Sequence, residues 1–345
     1  MTRLSRGGLL AAAAVAALIA PASAQEKPKV PTLGKITRLD RAINGVLPAD
    51  AIIELVVHER FEWAEGPVWD KAHNRLLFSD IPRNMIWQWS PDGGLKEFLK
   101  PSGYTGTETF TGREPGSNGL AINKAGELIL CMHGDRRVAK LVDGKFLTLA
   151  DKYMGKRLNS PNDLAIKSNG DIYFTDPPYG LPKIEKDPAK ELDFQGVYRL
   201  SPKGELTLLT KDMTRPNGLA FSPDQKTLYV ANSDPDKAVW MAFPVKDDGT
   251  LGEGKVFFDS TAAAKEGKEK NPGLPDGMKV SQDGTIWATG PGGVYIFTPD
   301  GKHLGTLATG VATANCNWGD DGSTLYLAAD KSLARIRTKV KGAGW

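Results

Sequence analysis

The chain has 345 residues, with 44 Lys and Arg against 41 Asp and Glu, a formal charge of +3 and 40% hydrophobic residues. There is no basic block and no basic amphipathic stretch, which argues against nucleic acid or an anionic membrane as a partner. Nothing in the composition specifies an oligomeric state.

Residues 1–24 read as a secretory signal peptide. Arg3 and Arg6 precede an apolar run from Leu9 to Ala20, and Ala22-Ser23-Ala24 has the small-x-small form that signal peptidase cuts. The run is short for a membrane span, and no Arg-Arg pair marks twin-arginine export. Cleavage would remove two arginines and no acid. The mature protein is expected to be soluble, free of the membrane, and periplasmic or secreted.

Residues 25–50 carry prolines and charges with little periodicity, and read as a linker that becomes ordered near Ile36. Residues 51–345 read as strands and turns. Six times, an oxygen-bearing residue stands before a short apolar strand: Glu65 (EGPVWD), Asn118 (NGLAIN), Asn162 (NDLAIK), Asn217 (NGLAFS), Asp276 (DGMKVS) and Asn315 (NCNWG). A second apolar strand follows each: LLFSD, ELILCM, DIYFTD, TLYVANS, TIWATG and TLYLAAD. Self-similarity at a spacing of roughly 40–60 residues, with several short strands per unit, marks a radial β repeat.

Turns rich in Asp-Gly and Asn-Gly join four strands per unit, because Gly and Asn tolerate the positive φ of tight hairpins. The sixth unit is one strand short, and IIELVV, Ile52 to Val57, can supply it. The expected fold is therefore all-β: a six-bladed β-propeller of four-stranded blades, closed by an N-terminal strand pairing with the last blade. The charged stretch Ala262–Lys270 reads as a surface insertion with some helical character. Cys131 and Cys316 fall in different repeats and read as buried thiols, although an exported protein could pair them.

In a propeller the first strand of each blade lines the central channel, so a residue just before it faces one channel mouth. Glu65, Asn162, Asn217 and Asp276 would offer two carboxylates and two amide oxygens, a donor set suited to a hard cation such as Ca²⁺. The four histidines form no ligand pair, so zinc is less favoured. Asn or Asp before Gly also has an ordinary turn reading. Glu65 does not, since Glu has no such preference and a carboxylate at a channel mouth needs a partner. His133, in LCMHGDRRV, ends a second strand near the same face. Tyr179, in FTDPPYG, stands on a stiff loop that can wall a pocket. Of the adjacent Arg136 and Arg137, at least one is expected to be a solvated charge. No G-x-S-x-G, H-E-x-x-H, G-x-G-x-x-G or G-x-x-x-x-G-K motif is present, which leaves a metal-centred reaction.

The stretches FEWAEGPVWD, CMHGDRRV, NSPNDLAIKSNGDIYFTDPPYGL, RPNGLAFSPDQKTLYVANS and LPDGMKVSQDGTIWATGPGGVYIF resemble the gluconolactonase / senescence-marker-protein (regucalcin) family, in particular its exported bacterial members. The resemblance runs from about Ile36 to the end of the chain. It implies one divalent ion at the channel mouth, commonly Ca²⁺, with Zn²⁺, Mg²⁺ and Mn²⁺ as alternatives. By motif, the family's metal-binding residues fall on Glu65, Asn162, Asn217 and Asp276, and Asp276 is also its proposed general base. The animal members carry a sugar-contacting Arg where this chain has Ser160, so their sugar contacts do not transfer.

The activity so implied is metal-dependent hydrolysis of a lactone, with a sugar lactone such as glucono-1,5-lactone as the small-molecule substrate. Asp276 would accept the proton of the attacking water, with His133 assisting, and Asn118, Asn162 and Tyr179 would contact substrate. A carboxylate bound to a cation is a weakened base, a tension that reactive lactones can tolerate. Two alternatives stand beside this reading. The same site could act on aryl esters or phosphotriesters, or the propeller could bind a sugar or protein without catalysis.

Overall fold

Runs such as RLLFSD, LILCM and IYFTD are short and rich in β-forming residues, and they become the second strands of antiparallel sheets. The computed structural model describes residues 1–2 and 30–345; the rest of the expected signal segment lies outside the described residues. The sheets are meanders arranged as a six-bladed β-propeller: 64–99 (blade 1), 117–150 (blade 2), 164–210 (blade 3), 216–259 (blade 4), 278–308 (blade 5) and 313–337 (blade 6).

Blade 6 has three strands of its own, and Glu54–Val57 pairs antiparallel with the last of them, Leu55 opposite Ala334. This is the closure expected of Ile52–Val57, with the strand beginning at Glu54. Two further pieces lie outside the repeat among the described residues: the small hairpin of Lys152–Tyr153 and Lys156–Arg157, and the strand Lys35–Arg38. Lys35–Arg38 adds to the outer strand of blade 5, with Ile36 opposite Leu307, and a single helical turn, Ile43–Val46, follows. Ile43, Val46 and Leu47 are buried between blades 5 and 6. The stretch read as a linker is therefore part of the propeller from Lys35 onward. KITR is too short for its alternation to stand out before its partner strand is known.

The core is divided among the blade interfaces. Among the described residues, buried apolar side chains form six clusters, each shared by two adjacent sheets. Trp287 meets Trp318 edge-on between blades 5 and 6, for example, and Trp69 stacks on Tyr326 between blades 6 and 1. Cys131 lies between blades 2 and 3 and Cys316 between blades 5 and 6; both are buried and unpaired.

Candidate metal centre at the channel mouth

Each of the six opening residues stands at the mouth end of an inner strand. In four blades the strand is irregular there: the ladder slips between Glu65 and Val68, Ser117 and Leu120, Pro216 and Leu219, and Thr313 and Asn315. Such bulges turn a side chain away from its regular direction. Glycine follows the opening residue in four blades because a neighbouring backbone or side chain presses against it. A Cβ on Gly218 would lie 2.3 Å from the Asp276 carbonyl oxygen, and one on Gly277 would lie 2.0 Å from Asn315 Cγ. Gly119 N donates to Asn162 O at 2.7 Å and Gly277 N to Ala314 O at 2.8 Å, so backbone bonds tie one inner strand to the next. The Asn-Gly and Asp-Gly pairs thus meet a packing demand at the axis, where the sequence also allowed ordinary turn chemistry.

A cavity of about 720 Å³ opens at this mouth, and Glu65, Asn118, Asn162, Asn217 and Asp276 all line it, with Tyr179 on its wall. The sixth opening residue, Asn315, faces inward. Its Nδ2 donates to Glu65 Oε2 at 3.1 Å and to Asp163 Oδ2 at 3.3 Å, while its Oδ1 accepts from Cys316 N at 2.9 Å. His133 is fully buried and is not on the cavity wall. Its Nε2 lies 3.5 Å from Asn162 Nδ2 and its Nδ1 lies 3.0 Å from Glu114 Oε2. The structure therefore brings Glu65, Asn118, Asn162, Tyr179, Asn217 and Asp276 together at the cavity and places His133 against Asn162, off the cavity wall.

Whether these residues suit a cation can be tested on their unpaired atoms. Asn118 Oδ1, Asn162 Oδ1 and Asp276 Oδ1 are buried acceptors without a donor. A buried acceptor left unpaired is costly, and a cation satisfies it. Among the described residues no three His, Cys, Asp or Glu side chains group closely enough to hold a metal, so amide oxygens must complete the set. All-oxygen donors fit Ca²⁺ or another hard divalent ion better than zinc.

The electrostatics agree. Burial, with the Asp163 charge next, pushes the Glu65 carboxyl up to about 8. Burial, then Glu65, Asp163 and Glu114, hold Asp276 well above the ordinary carboxylate range. Buried carboxylates crowded together resist ionising until a positive charge joins them. Burial and Asp276 likewise raise the Tyr179 hydroxyl.

Several site residues had not been singled out from the sequence. Trp63, Glu114, Arg215 and Ser233 line the cavity, and Asp163 lies buried beneath Glu65. The doublet Asn162-Asp163 was a signal for the last, since it replaces the Asn-Gly seen in neighbouring blades. The insertion near Ala262–Lys270 forms a helix, Thr261–Lys265, and Ala264, Lys268 and Asn271 wall the cavity. Arg136 is buried, and its guanidinium donates to Leu158 O, Asn159 O and Ala189 O; Arg137 pairs with Asp135 at 2.7 Å. Neither arginine is the solvated charge that adjacency had implied. Ser160 does not face the cavity; its Oγ donates to Pro177 O at 2.6 Å and accepts from Gly180 N at 2.9 Å.

Fold and site together define a six-bladed propeller with an oxygen-lined centre at one channel mouth. The profile of the SMP-30/gluconolactonase/LRE-like region matches residues 63–331, and the chain belongs to that family. A gluconolactonase of Zymomonas mobilis subsp. mobilis is 40% identical over 325 residues, covering 90% of this chain and 88% of the relative. The solved structure of a gluconolactonase from Xanthomonas campestris superposes with a TM-score of 0.75 at 31% identity, covering 90% of this chain and 98% of that one. A regucalcin from Agrobacterium tumefaciens shares the fold at a TM-score of 0.63 and 20% identity, covering 84% of this chain and 95% of that one.

Proposed function

We propose that this protein is a carboxylic-ester hydrolase that opens lactones, with one divalent cation, Ca²⁺ by preference, held by Glu65, Asn162, Asn217 and Asp276. Similarity to gluconolactonases over most of the chain supports the lactone class, and a sugar lactone such as glucono-1,5-lactone is the substrate to try first. The observation that carries the cation reading is the set of buried acceptor oxygens at one cavity, Asn118 Oδ1, Asn162 Oδ1 and Asp276 Oδ1, without donors.

The cation, when bound, supplies Lewis-acid polarisation of the lactone carbonyl. Asp276 is the base for the attacking water. Burial beside Glu65 and Asp163 raises its proton affinity, which opposes the weakening that a ligated carboxylate suffers. Asn118 has an unpaired amide oxygen on the same wall and orients substrate or water. Tyr179 and Trp63 flank the ring-binding space, and the 261–274 insertion limits access of water.

Apolar walls from Trp63, Ile81, Leu274 and Val311 support a second reading, in which the same centre acts on a bulkier aryl ester or phosphotriester. Titration of released acid in a pH-stat, on glucono-1,5-lactone and on an ester panel, tests both. Acceleration lost with chelator and restored by Ca²⁺ is expected on the lactone. Full activity in metal-free protein would overturn the cation assignment. Binding of sugar without turnover would point to a non-catalytic propeller.

We further propose export to the periplasm or medium, on the basis of Arg3, Arg6, the Leu9–Ala20 run and Ala22-Ser23-Ala24. N-terminal sequencing of the fractionated protein should find Gln25 first.

A further inference from the structure

Beneath the cavity lies a layer of buried polar groups that the proposed reaction does not use. Two of them, Asn315 and His133, touch cation-site side chains from off the cavity wall, and Ser233, itself on the wall, touches a third. Asn315 is 1% exposed and donates to Glu65 Oε2, and its own amide is held one way round because Cys316 N donates to Oδ1. Ser233 Oγ donates to Pro275 O at 2.7 Å and so presents a lone pair to Asn217 Nδ2 at 3.3 Å. His133 is 0% exposed, with Nε2 against Asn162 Nδ2 and Nδ1 against the Glu114 carboxylate.

An asparagine ligand has two ends of similar shape, and only its oxygen binds a cation. A carboxylate that shares one oxygen with a donor offers the other. We propose that Asn315, Ser233 and His133 are positioning residues: each engages the atom of one ligand that must not face the cation, so that the Glu65 carboxylate and the oxygens of Asn217 and Asn162 are presented to it. The inference rests on the cation reading of the site. Outer partners of this kind typically contribute about 10- to 100-fold in metal affinity.

A neutral His133 with its proton on Nδ1, 3.0 Å from Glu114 Oε2, offers Nε2 as an acceptor to the Asn162 amide 3.5 Å away. A histidine so placed is a buttress and does not take the proton of the attacking water.

The same logic accounts for the sixth blade. Were Asn315 a sixth ligand, Glu65 and Asp163 would share the floor with no donor between them. Turned inward, one amide group bridges both carboxylates, and Gly277 leaves the room it needs: a Cβ at 277 would fall 2.4 Å from Asn315 Nδ2.

The experiment is calorimetric titration of chelated full-length protein with Ca²⁺, for wild type and for Asn315→Ala, Ser233→Ala, His133→Leu and His133→Gln. Turnover is measured alongside at saturating Ca²⁺. Asn315→Ala, Ser233→Ala and His133→Leu are expected to weaken Ca²⁺ binding about 10- to 100-fold while turnover at saturating Ca²⁺ falls far less. His133→Gln, which restores an acceptor near the Nε2 position, should recover most of the affinity. Nitrogen-15 spectra of the imidazoles should show His133 protonated at Nδ1 and bare at Nε2. Unchanged Ca²⁺ affinity with only a lowered melting temperature would overturn the proposal. So would a His133→Gln variant that binds Ca²⁺ normally and has lost turnover, since that marks a base. Should Asn315→Ala not fold, Asn315→Ser and Ser233→Ala decide the same point. If wild type binds no Ca²⁺, the cation reading itself fails; if wild type binds and the variants bind equally, only the positioning roles fail.

Discussion

Arg215 donates from Nε to Glu185 Oε1 at 2.9 Å, linking the cavity rim to the 3₁₀ turn Ile184–Lys186 in the loop between Pro182 and Asp193. Both side chains are more than a third exposed, so the pair contributes little to folding. Its effect should appear in substrate binding. Arg215→Ala is expected to leave the melting temperature within measurement error and to raise KM, by about 5-fold or less if only this contact is lost. Steady-state kinetics beside a thermal melt check this, and a KM unchanged from wild type would remove the loop from any role at the cavity.

Ser160 acts from within. Its hydroxyl satisfies a buried backbone donor, Gly180 N, and so fixes the loop that carries Tyr179. Ser160→Ala leaves that donor unpaired and should cost about 1–3 kcal/mol of stability. KM should rise with it, because Tyr179 loses its support. Denaturant unfolding and kinetics on the same variant check both.

The crowded carboxylates predict how metal-free protein responds to pH. Burial, with the Asp163 charge next, pushes the folded-state Glu65 carboxyl from its ordinary 4.5 up to about 8. The folded state therefore binds more protons across that window, and the stability tied to Glu65 is present at low pH and lost as pH rises toward 8. The melting temperature of chelated protein should fall between about pH 5 and 8, and Ca²⁺ should flatten the curve. Ca²⁺ affinity should run the opposite way, weakening as pH falls and protons compete for Glu65. Calorimetry in buffers of different ionisation heat should detect proton release on binding below pH 8.

Asp276 is asked to do two things, and two substitutions separate them. Asp276→Ala should abolish both Ca²⁺ binding and turnover. Asp276→Asn keeps an oxygen for the cation but removes the base, and turnover should fall about 10²- to 10⁴-fold with a smaller loss of affinity. Full turnover in either variant would place the base elsewhere.

Gly218 tests the packing at the axis. A methyl group there meets the Asp276 carbonyl oxygen at 2.3 Å, so the inner strands of blades 4 and 5 must part. Gly218→Ala should lower stability by about 1–3 kcal/mol and weaken Ca²⁺ binding through Asp276. Thermal melts with and without Ca²⁺ check the coupling, since the ligand should recover less stability than it does in wild type.

Much of this was legible because a propeller repeats its lesson. Glu65, Asn118, Asn162, Asn217 and Asp276 occupy equivalent positions in five units, and five oxygens at one mouth follow from the spacing. What escaped depends on direction and on distant partners. Asn315 occupies the same position as the others, and only its turn toward Glu65 and Asp163 reveals a different task. His133 was expected at the substrate because it ends a second strand near that face, but strand position does not show that the ring is fully buried against Asn162 and off the cavity wall. Trp63, Glu114 and Lys268 reach the cavity from loops between the repeats, where periodicity carries no information. Lys35–Arg38 finds its partner strand more than 250 residues away.

The seam of the ring, where Glu54–Val57 meets Ser332–Arg337, sets how the molecule can come apart. A propeller closed only by its last hairpin could shed that blade and unravel one interface at a time. Here the final sheet is stitched from both extremes of the fold, so no end blade exists to peel. Loss of any one interface strains the other five, and unfolding should proceed as a single concerted event. A cut in a surface turn far from the seam, such as Asp300-Gly301, should leave both fragments associated, because neither piece holds a complete circle without the other.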